Sequence, residues 1–599
     1  MTDGPPVKIA IIGSGPAGFY TASALLDSCK TCLIDIVERL PTPYGLIRGG
    51  VAPDHQTTKR VAKKFEKTAL EAGINYYGNV EVNKDVSLDE MRSLYDAVML
   101  AVGAPADRVL GIPGADKQGV LGAAAFVGWY NGHPDFRELD PDLNVEAVCV
   151  VGNGNVALDC ARVLSRSPRG MAYTDLPDHV RDAITEAPLT DIYMLSRRGP
   201  VNAAFTNVEL RELGELTLAE PVVKAEQLPD DPEAALASYE KRERRVRGRN
   251  LETLADYAAR PPAGKPKRLH LEFFASPVEV LGGERVEGLR CERTEVVDGR
   301  ATGTGETFDI PCGMVIAAIG YRAEPIAGAP YDEKRGIIPN DDGRVEPGLY
   351  AVGWIKRGPT GVISSNRPDG EIVAEQIGAD TGGVGDAAKA GRQGLEALLR
   401  ERGQRWVTFE DWRRLEAMEV AAAGEHAPRR KFTTVEDMLA ALDQDAKGDS
   451  MNKPKPPRAE DGAYAGDKTP QETWEALADA SGAVLVDVRT DAEFAYVGVP
   501  DLAGLGKETK FAPWVLFPGG DANPNFMEQL KAAQPDPEKP VLFLCRSGVR
   551  SRFAAAAATL AGYTNCYNIL EGFEGDKDPD GHRGTVGGWK VAGLPWTQG

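Results

Sequence analysis

Cysteine is scarce in this chain, with eight residues thinly spread over 599. That fits a reducing compartment better than a disulfide framework. No apolar run approaches the roughly 20 residues that a membrane-spanning helix needs. The opening Thr2-Asp3-Gly4-Pro5-Pro6, followed by a short apolar run cut by glycines, is not a secretory signal. Positive charge is outnumbered, 69 Lys and Arg against 89 Asp and Glu, for a formal net charge of −20. Such a surface argues against nucleic acid as a general partner. These absences predict a cytoplasmic protein with no membrane span. Its apolar and charged fractions, 42% and 26%, are ordinary for a globular protein. The length exceeds one core and predicts three or four domains.

What is present is a turn sequence used three times, each copy directly after a strand-like apolar run. Gly13-Ser14-Gly15-Pro16-Ala17-Gly18 follows residues 7–12, and Gly152-Asn153-Gly154-Asn155-Val156-Ala157 follows residues 147–151. Cys545-Arg546-Ser547-Gly548-Val549-Arg550 follows residues 541–544. Each joins a strand to a helix N-terminus, where unpaired N–H groups and the helix dipole favour negative charge. The three sites imply two nucleotides and one reactive anion. Strand-like and helical runs alternate from residue 7 to about 320, the pattern of parallel α/β sheets. Residues 444–467, rich in Pro, Gly and Lys and without apolar periodicity, read as a linker. Beyond them, residues 483–486 and 541–544 are buried-strand runs of a smaller α/β unit.

In the first loop Gly13 permits the tight turn, Gly15 lets backbone approach a pyrophosphate, and Gly18 lets the helix sit against the strand. The next strand ends in Glu38, twenty residues past Gly18 and placed for ribose hydroxyls. The second loop differs. Its following strand, residues 191–195, runs into Ser196-Arg197-Arg198 where an acid would otherwise stand. Two arginines supply fork-shaped donors for a 2′-phosphate, so NADPH is expected over NADH. Residues 165–188 read as an insertion on this crossover.

Further segments carry a family resemblance: Arg39-Leu40-Pro41-Thr42-Pro43-Tyr44-Gly45-Leu46, Gly50-Val51-Ala52-Pro53-Asp54-His55, Phe126-Val127-Gly128-Trp129-Tyr130-Asn131-Gly132, and Leu349-Tyr350-Ala351-Val352-Gly353-Trp354 followed by Gly358-Pro359-Thr360-Gly361-Val362-Ile363. With them, residues 7 to about 445 resemble the adrenodoxin-reductase type of ferredoxin–NADP reductase. The resemblance implies FAD on the first loop, with contacts at Ala17, Glu38, Leu46, Val82, Trp354, Gly361, Val362 and Ile363. It implies nucleotide contacts at Arg108, Asn153, Gly154, Asn155, Val156 and Glu209, and a proton-handling polar pair, His55 and Asp159, near the flavin. A purely structural histidine is the alternative for His55. The close cysteine pair, Cys29 and Cys32, lies in the turn before the strand ending at Glu38, on the adenosine side, and cannot easily serve as a thiol relay. With no iron–sulfur cysteine run either, electrons must leave to a separate carrier, which the family implies is a ferredoxin or adrenodoxin-like iron–sulfur protein. The basic run Lys241, Arg242, Arg244, Arg245, Arg247 and Arg249 is either a solvated face or the docking patch for such an acidic partner.

Residues 466–599 resemble a single-domain rhodanese through Leu485-Val486-Asp487-Val488-Arg489 with Glu493-Phe494, the Cys545 loop, Gly572-Phe573-Glu574-Gly575 and Gly588-Trp589. Loop amides, Arg546 and Arg550 would stabilise a Cys545 thiolate, which would take a sulfane sulfur as a persulfide. Four residues between Cys545 and Arg550, where related phosphatases have five, favour sulfur transfer. Asp487 and Glu493 are expected to tie the loop down by ion pairs, and Cys149, Cys160, Cys291, Cys312 and Cys566 to be packing residues. The expected architecture is α/β: a discontinuous FAD domain (1–106 and 321–445), an NADP domain (107–320), a linker (446–466) and a rhodanese domain (467–599). The expected activity is NADPH:ferredoxin oxidoreduction with a fused sulfurtransferase. An NADPH-dependent persulfide reductase, and a rhodanese unit that only docks or senses, are the alternatives.

Overall fold

The computed structural model describes residues 4–29, 32–424, 426–448, 464–516, 523, 525–575, 578 and 582–598. The chain divides into two compact units, Met1–Ala446 and Lys447–Gly599.

The first unit holds two six-stranded sheets. One begins with β1 (Lys8–Ile12) and β2 (Leu33–Glu38) and runs, edge to edge, Arg344–Glu346, Leu349–Ala351, Ala97–Leu100, β1, β2, Ile74–Gly78. Ile9 pairs in register with Ile34 on one side and Ala97 on the other, and both pairings are parallel. Covered on both faces, β1 reads as a nearly unbroken apolar run. Helix α1 (Pro16–Ser28) follows it and packs on the long helix Asn366–Thr381. A side chain at Gly370 of that helix would stand 2.9 Å from the Thr21 amide, so only glycine permits the approach. The second sheet contains β3 (Ala147–Val151) and β4 (Asp191–Ser196), in the order Val120–Gly122, Met314–Ala317, β3, β4, Lys267–Phe273, Ala219–Val223. Helix α2 (Asn155–Ser165) leaves β3 as α1 leaves β1. The chain crosses between these halves at Ala106–Asp107 and again at Tyr321–Arg322, and the two crossings pair antiparallel with each other.

Three features depart from the sequence expectations. The α/β alternation is interrupted by an antiparallel sheet, Ala275–Leu281, Gly288–Val297 and Arg300–Pro311. Its second hairpin turns at Asp298-Gly299, both at positive φ, the geometry of a two-residue Asp-Gly turn. The final helix of the unit, Val435–Gly448, continues past residue 444, so the linker begins later than its composition suggested. Most of the expected linker, residues 449–463, lies outside the described residues. Finally, Cys29 and Cys32 are joined as a disulfide, in a chain otherwise holding free, buried thiols among the described residues.

The second unit is a five-stranded parallel sheet. Its strands are β5 (Gly466–Lys468), β6 (Val484–Asp487), β7 (Val541–Leu544) and β8 (Cys566–Ile569), with Lys510–Phe511 at one edge. The order is β5, β8, β7, β6, Lys510–Phe511. Every residue of β7 is fully buried. Phe543 and Phe526 build the core on one face, and Leu485, Leu542 and Trp589 the core on the other. Leu485→Ala is expected to cost the second unit about 2–5 kcal/mol. Calorimetry of the full chain checks it: the transition of this unit drops while that of Met1–Ala446 stays in place.

Candidate functional site

The first loop is held open at a helix start. Gly13 has φ +107°, and a Cβ there would meet the Ala101 carbonyl at 2.6 Å. Glu38, the last residue of β2, accepts hydrogen bonds from the Ser14 amide (3.0 Å) and hydroxyl (2.7 Å) and from the Leu40 amide (3.2 Å). The acid expected for ribose therefore also fastens the loop. Gly15 caps α1 with no side-chain bond, and nothing lies within 4 Å of where its Cβ would stand. Among the described residues the amides of Gly15, Ala17 and Gly18 have no acceptor, the condition a pyrophosphate satisfies. Two later segments close on this point. Tyr44 donates its amide to the Ser14 carbonyl (3.0 Å), bringing Leu46 alongside. A Cβ at Gly353, φ +75°, would stand 2.7 Å from Ala17 Cβ, bringing Trp354 alongside. Asp369 holds that segment through the Gly353 amide (2.8 Å), Lys356 and Arg357. Trp354 and Val82 pack on the same apolar cluster, and Ile363 packs against the core on the other face of the sheet. Leu46 and Val362 are left largely exposed, at 44% and 62%. The residues present fit a flavin dinucleotide.

The second loop repeats the device. Gly154 caps α2 without a side-chain bond, and among the described residues the amides of Gly154, Asn155 and Val156 have no acceptor. Asn153 donates to Ser196 Oγ (3.0 Å), and Asn155 accepts the Thr206 amide (2.8 Å), locking the loop to the end of β4. Arg197 is exposed and Arg198 half-buried beside it. Neither guanidinium has a partner among the described residues, so both are free to grip a phosphate. Arg108, on the first crossing, donates its amide to the Gly320 carbonyl and its Nε to the Tyr321 carbonyl.

Between the two loops lies a charge cluster centred on Arg162, whose side chain is 1% exposed. It binds Asp54 at 2.8 and 3.0 Å and stands 2.8 Å from Asp159, 3.3 Å from Glu209 and 3.2 Å from Glu212. His55 and Asp159 lie close together, as the family resemblance implied, but His55 is not hydrogen-bonded to Asp159. Its Nε2 bonds Glu212 at 2.9 Å and lies 3.3 Å from Glu209, with Asp159 within 4.8 Å. Arg162 sits between them and draws the Asp159 carboxylate to itself. Glu209, expected at the nucleotide, is likewise engaged by Arg162 and His55. Burial works against charge on His55, yet the Glu212 hydrogen bond and the nearby acids hold the imidazole above its ordinary value. Burial pushes the Asp159 and Glu209 carboxyls up, whereas against burial the Arg162 hydrogen bond pulls Asp54 down. Asp54, Arg162 and Glu212 were missed. The available signal was an arginine in α2 on the same face as buried Leu158 and Ser165.

In the second unit Cys545 follows β7 directly, and helix α4 (Val549–Leu560) begins at Gly548, φ +83°, again with no side-chain cap. Phe573 and Glu574 donate their amides to the Cys545 and Arg546 carbonyls (2.8 and 2.9 Å), so the 572–575 segment buttresses the loop. Arg546 is exposed, while Cys545 is 1% exposed. Arg550 makes a two-pronged bond to Glu493 (2.8 and 2.6 Å). Against burial, Arg550 brings the Glu493 carboxyl down to about 2. Asp487 does not hold the loop. It pairs with Arg489 (2.6 Å), both fully buried, and Arg489 stacks over Phe573, which carries the buttress. Cys149, Cys160, Cys291, Cys312 and Cys566 are all buried.

Two family models match the chain: one described as pyridine nucleotide-disulphide oxidoreductase over residues 7–193, and one described as STR4 middle domain over residues 465–599. The mitochondrial NADPH:adrenodoxin oxidoreductase of Arabidopsis thaliana is 41% identical over 466 residues, covering 73% of this chain and 95% of that protein. The NADPH-ferredoxin reductase FprA of Mycobacterium tuberculosis is 39% identical over 453 residues, covering 72% of this chain and 98% of that protein. The structure of Mycobacterium tuberculosis FprA in complex with NADPH superposes with a TM-score of 0.70, at 39% identity, over 73% of this chain and 99% of that one. Built on two dinucleotide loops and a shared charge cluster, the chain belongs to the family of NADPH:adrenodoxin and NADPH-ferredoxin oxidoreductases.

Proposed function

We propose that the first unit is an FAD-dependent NADPH:ferredoxin oxidoreductase, and that the second is a rhodanese-type sulfurtransferase working through Cys545. The observation that carries the first reading is the pair of uncapped loops, one ending at Glu38 and the other at unpaired Arg197 and Arg198. Flavin chemistry converts a two-electron hydride from NADPH into single electrons. The chain's own residues bind and orient: the first loop would hold the FAD pyrophosphate and Glu38 the ribose, and Leu46, Trp354 and Val362 would shield the flavin from water. Asn153 to Val156 and the arginine pair hold NADPH. His55 carries its proton at Nε2, shared with Glu212, which places a proton store between the loops.

Electrons leave singly because no thiol relay is at hand. The Cys29–Cys32 disulfide sits at the far end of α1, a helix of 13 residues, about 20 Å from Gly15. The free cysteines of the unit are buried, and burial drives the Cys149, Cys160 and Cys291 thiols up in pKa. An acidic iron–sulfur carrier fits helix α3 (Lys241–Ala259). Arg242, Arg245 and Arg249 fall on one face at helical spacing and are exposed without partners among the described residues. Arg247 and Arg244 fold back onto Glu243 and onto the Ala237 and Tyr239 carbonyls.

In the second unit, the loop amides and Arg550 favour a thiolate on Cys545. The thiolate attacks the outer sulfur of a thiosulfate-type donor, the S–S bond breaks, and sulfite leaves with the electron pair. The sulfur, held as a persulfide, is then taken by a nucleophilic acceptor.

Three outcomes are expected. Neutralising Arg197 and Arg198 raises KM for NADPH at least tenfold and leaves that for NADH unchanged; steady-state kinetics with both nucleotides decide it. Arg242→Ala with Arg245→Ala raises KM for ferredoxin several-fold and flattens its salt dependence, whereas unaltered kinetics remove α3 as the docking face. Cys545→Ser abolishes sulfur transfer from thiosulfate to cyanide and leaves NADPH-driven, ferredoxin-coupled cytochrome c reduction intact; loss of both activities would refute independent units.

A further inference from the structure

Behind Cys545 runs a chain of polar groups, buried at Ser551 and Asn568 and reaching the surface at Asp467, that the sulfurtransferase reading does not use. Phe543 on β7 pairs in register with Asn568 on β8, and Asn568 with Asp467 on β5. Register partners and residues two apart share a sheet face, so Asp467, Asn568 and Cys545 are presented on one side. Ser551, in the first turn of α4, closes the chain. Its Oγ lies 3.1 Å from Cys545 Sγ and 2.7 Å from Asn568 Oδ1. Asn568 Nδ2 donates to Asp467 Oδ1 at 2.8 Å, and the Tyr464 hydroxyl donates to the same oxygen at 2.7 Å. Ser551 is fully buried and Asn568 is 2% exposed.

The orientation of this chain follows from donor and acceptor counts. An ionised carboxylate only accepts, so Asp467 fixes the Asn568 amide with Nδ2 towards itself and Oδ1 towards Ser551. The Asn568 oxygen then takes the single hydroxyl hydrogen of Ser551. A Ser551 lone pair is left to accept the Cys545 S–H, and every group is satisfied while the sulfur stays protonated. When the thiol proton leaves to solvent, the sulfur needs a donor. Ser551 supplies it by rotating its hydrogen to Sγ, which strands Asn568 Oδ1 in the core.

We propose that Ser551 is a positioning residue whose one hydrogen is contested between Asn568 and the Cys545 sulfur, so that Ser551 supports the thiolate and Asn568 restrains it. The inference rests on the reading of Cys545 as the reacting thiol. The charged groups around that thiol are Arg546 in the loop, Arg550 with its partner Glu493, the Asp487–Arg489 pair on and after β6, Glu571 and Glu574 after β8, and Asp467 on β5. Neutral substitutions at 551 and 568 leave all of these in place.

The test is the pH profile of iodoacetamide alkylation, followed on the Cys545 peptide of the full-length protein by mass spectrometry. Ser551→Ala is expected to move the midpoint up by about one pH unit, a tenfold loss of thiolate at a fixed pH below the midpoint. Asn568→Val, suited to a strand, is expected to move it down, and Ser551→Thr, which keeps the hydroxyl, to hold it near the wild-type value. Shifts of the same sign in Ser551→Ala and Asn568→Val overturn the proposal. If Asn568→Val unfolds the second unit by calorimetry, equal midpoints in Ser551→Ala and Ser551→Thr overturn it alone. Opposite shifts in a protein that transfers no sulfur from thiosulfate would sink the sulfurtransferase reading and leave the contested hydrogen standing.

Discussion

A strand that becomes a helix within a few residues leaves backbone amides with no acceptor, and both dinucleotide loops of this protein are arranged around that shortage. The chain caps several helices with side chains: Ser87, Thr408, Thr469 and Thr490 each close a capping box. At Gly15, Gly154 and Gly548 it does not. Those three helices follow the two dinucleotide loops and the Cys545 loop. A missing cap costs on the order of 1 kcal/mol of helix stability, and at the two dinucleotide loops the cost falls where a pyrophosphate recovers it.

The second organising force is buried charge kept in pairs. In the first unit Arg162 gathers Asp54, Asp159, Glu209 and Glu212 around one guanidinium. Arg48 with Glu419, and Lys59 and Lys431 with Asp175, do the same nearby. Each set draws on both the first-sheet and the second-sheet portions of the chain or on distant ends of it. These contacts place the His55 turn against α2. The surplus of acid in the chain therefore does not translate into a uniformly acidic molecule. Much of the acid is spoken for inside, and one face of α3 is left basic.

The loops were legible because glycine spacing, a preceding apolar run and a terminal Glu or Arg pair are local signals, each within about 45 residues. Strands buried on both faces, such as residues 7–12 and 541–544, were legible for the same reason. The Arg162 cluster was not. Its members come from residues 54 to 212, and no short-range pattern announces that a histidine will bond Glu212 and not Asp159. Local chemistry misled at the Asp298-Gly299 hairpin, a turn signal that was present but absorbed into an assumed α/β alternation. In the second unit the motif around Cys545 was readable, but its polar backing was not. Ser551 lies six residues past the cysteine in sequence, whereas Asn568 and Asp467 reach it only through strand register.

The paired crossings at Ala106–Asp107 and Tyr321–Arg322 bear on motion. A lone connecting strand acts as a swivel, free to twist as well as bend. Two strands hydrogen-bonded side by side behave as a strap: stiff to torsion, compliant to flexing about the axis across their width. Such a strap between the two nucleotide-holding halves favours opening and closing over twisting.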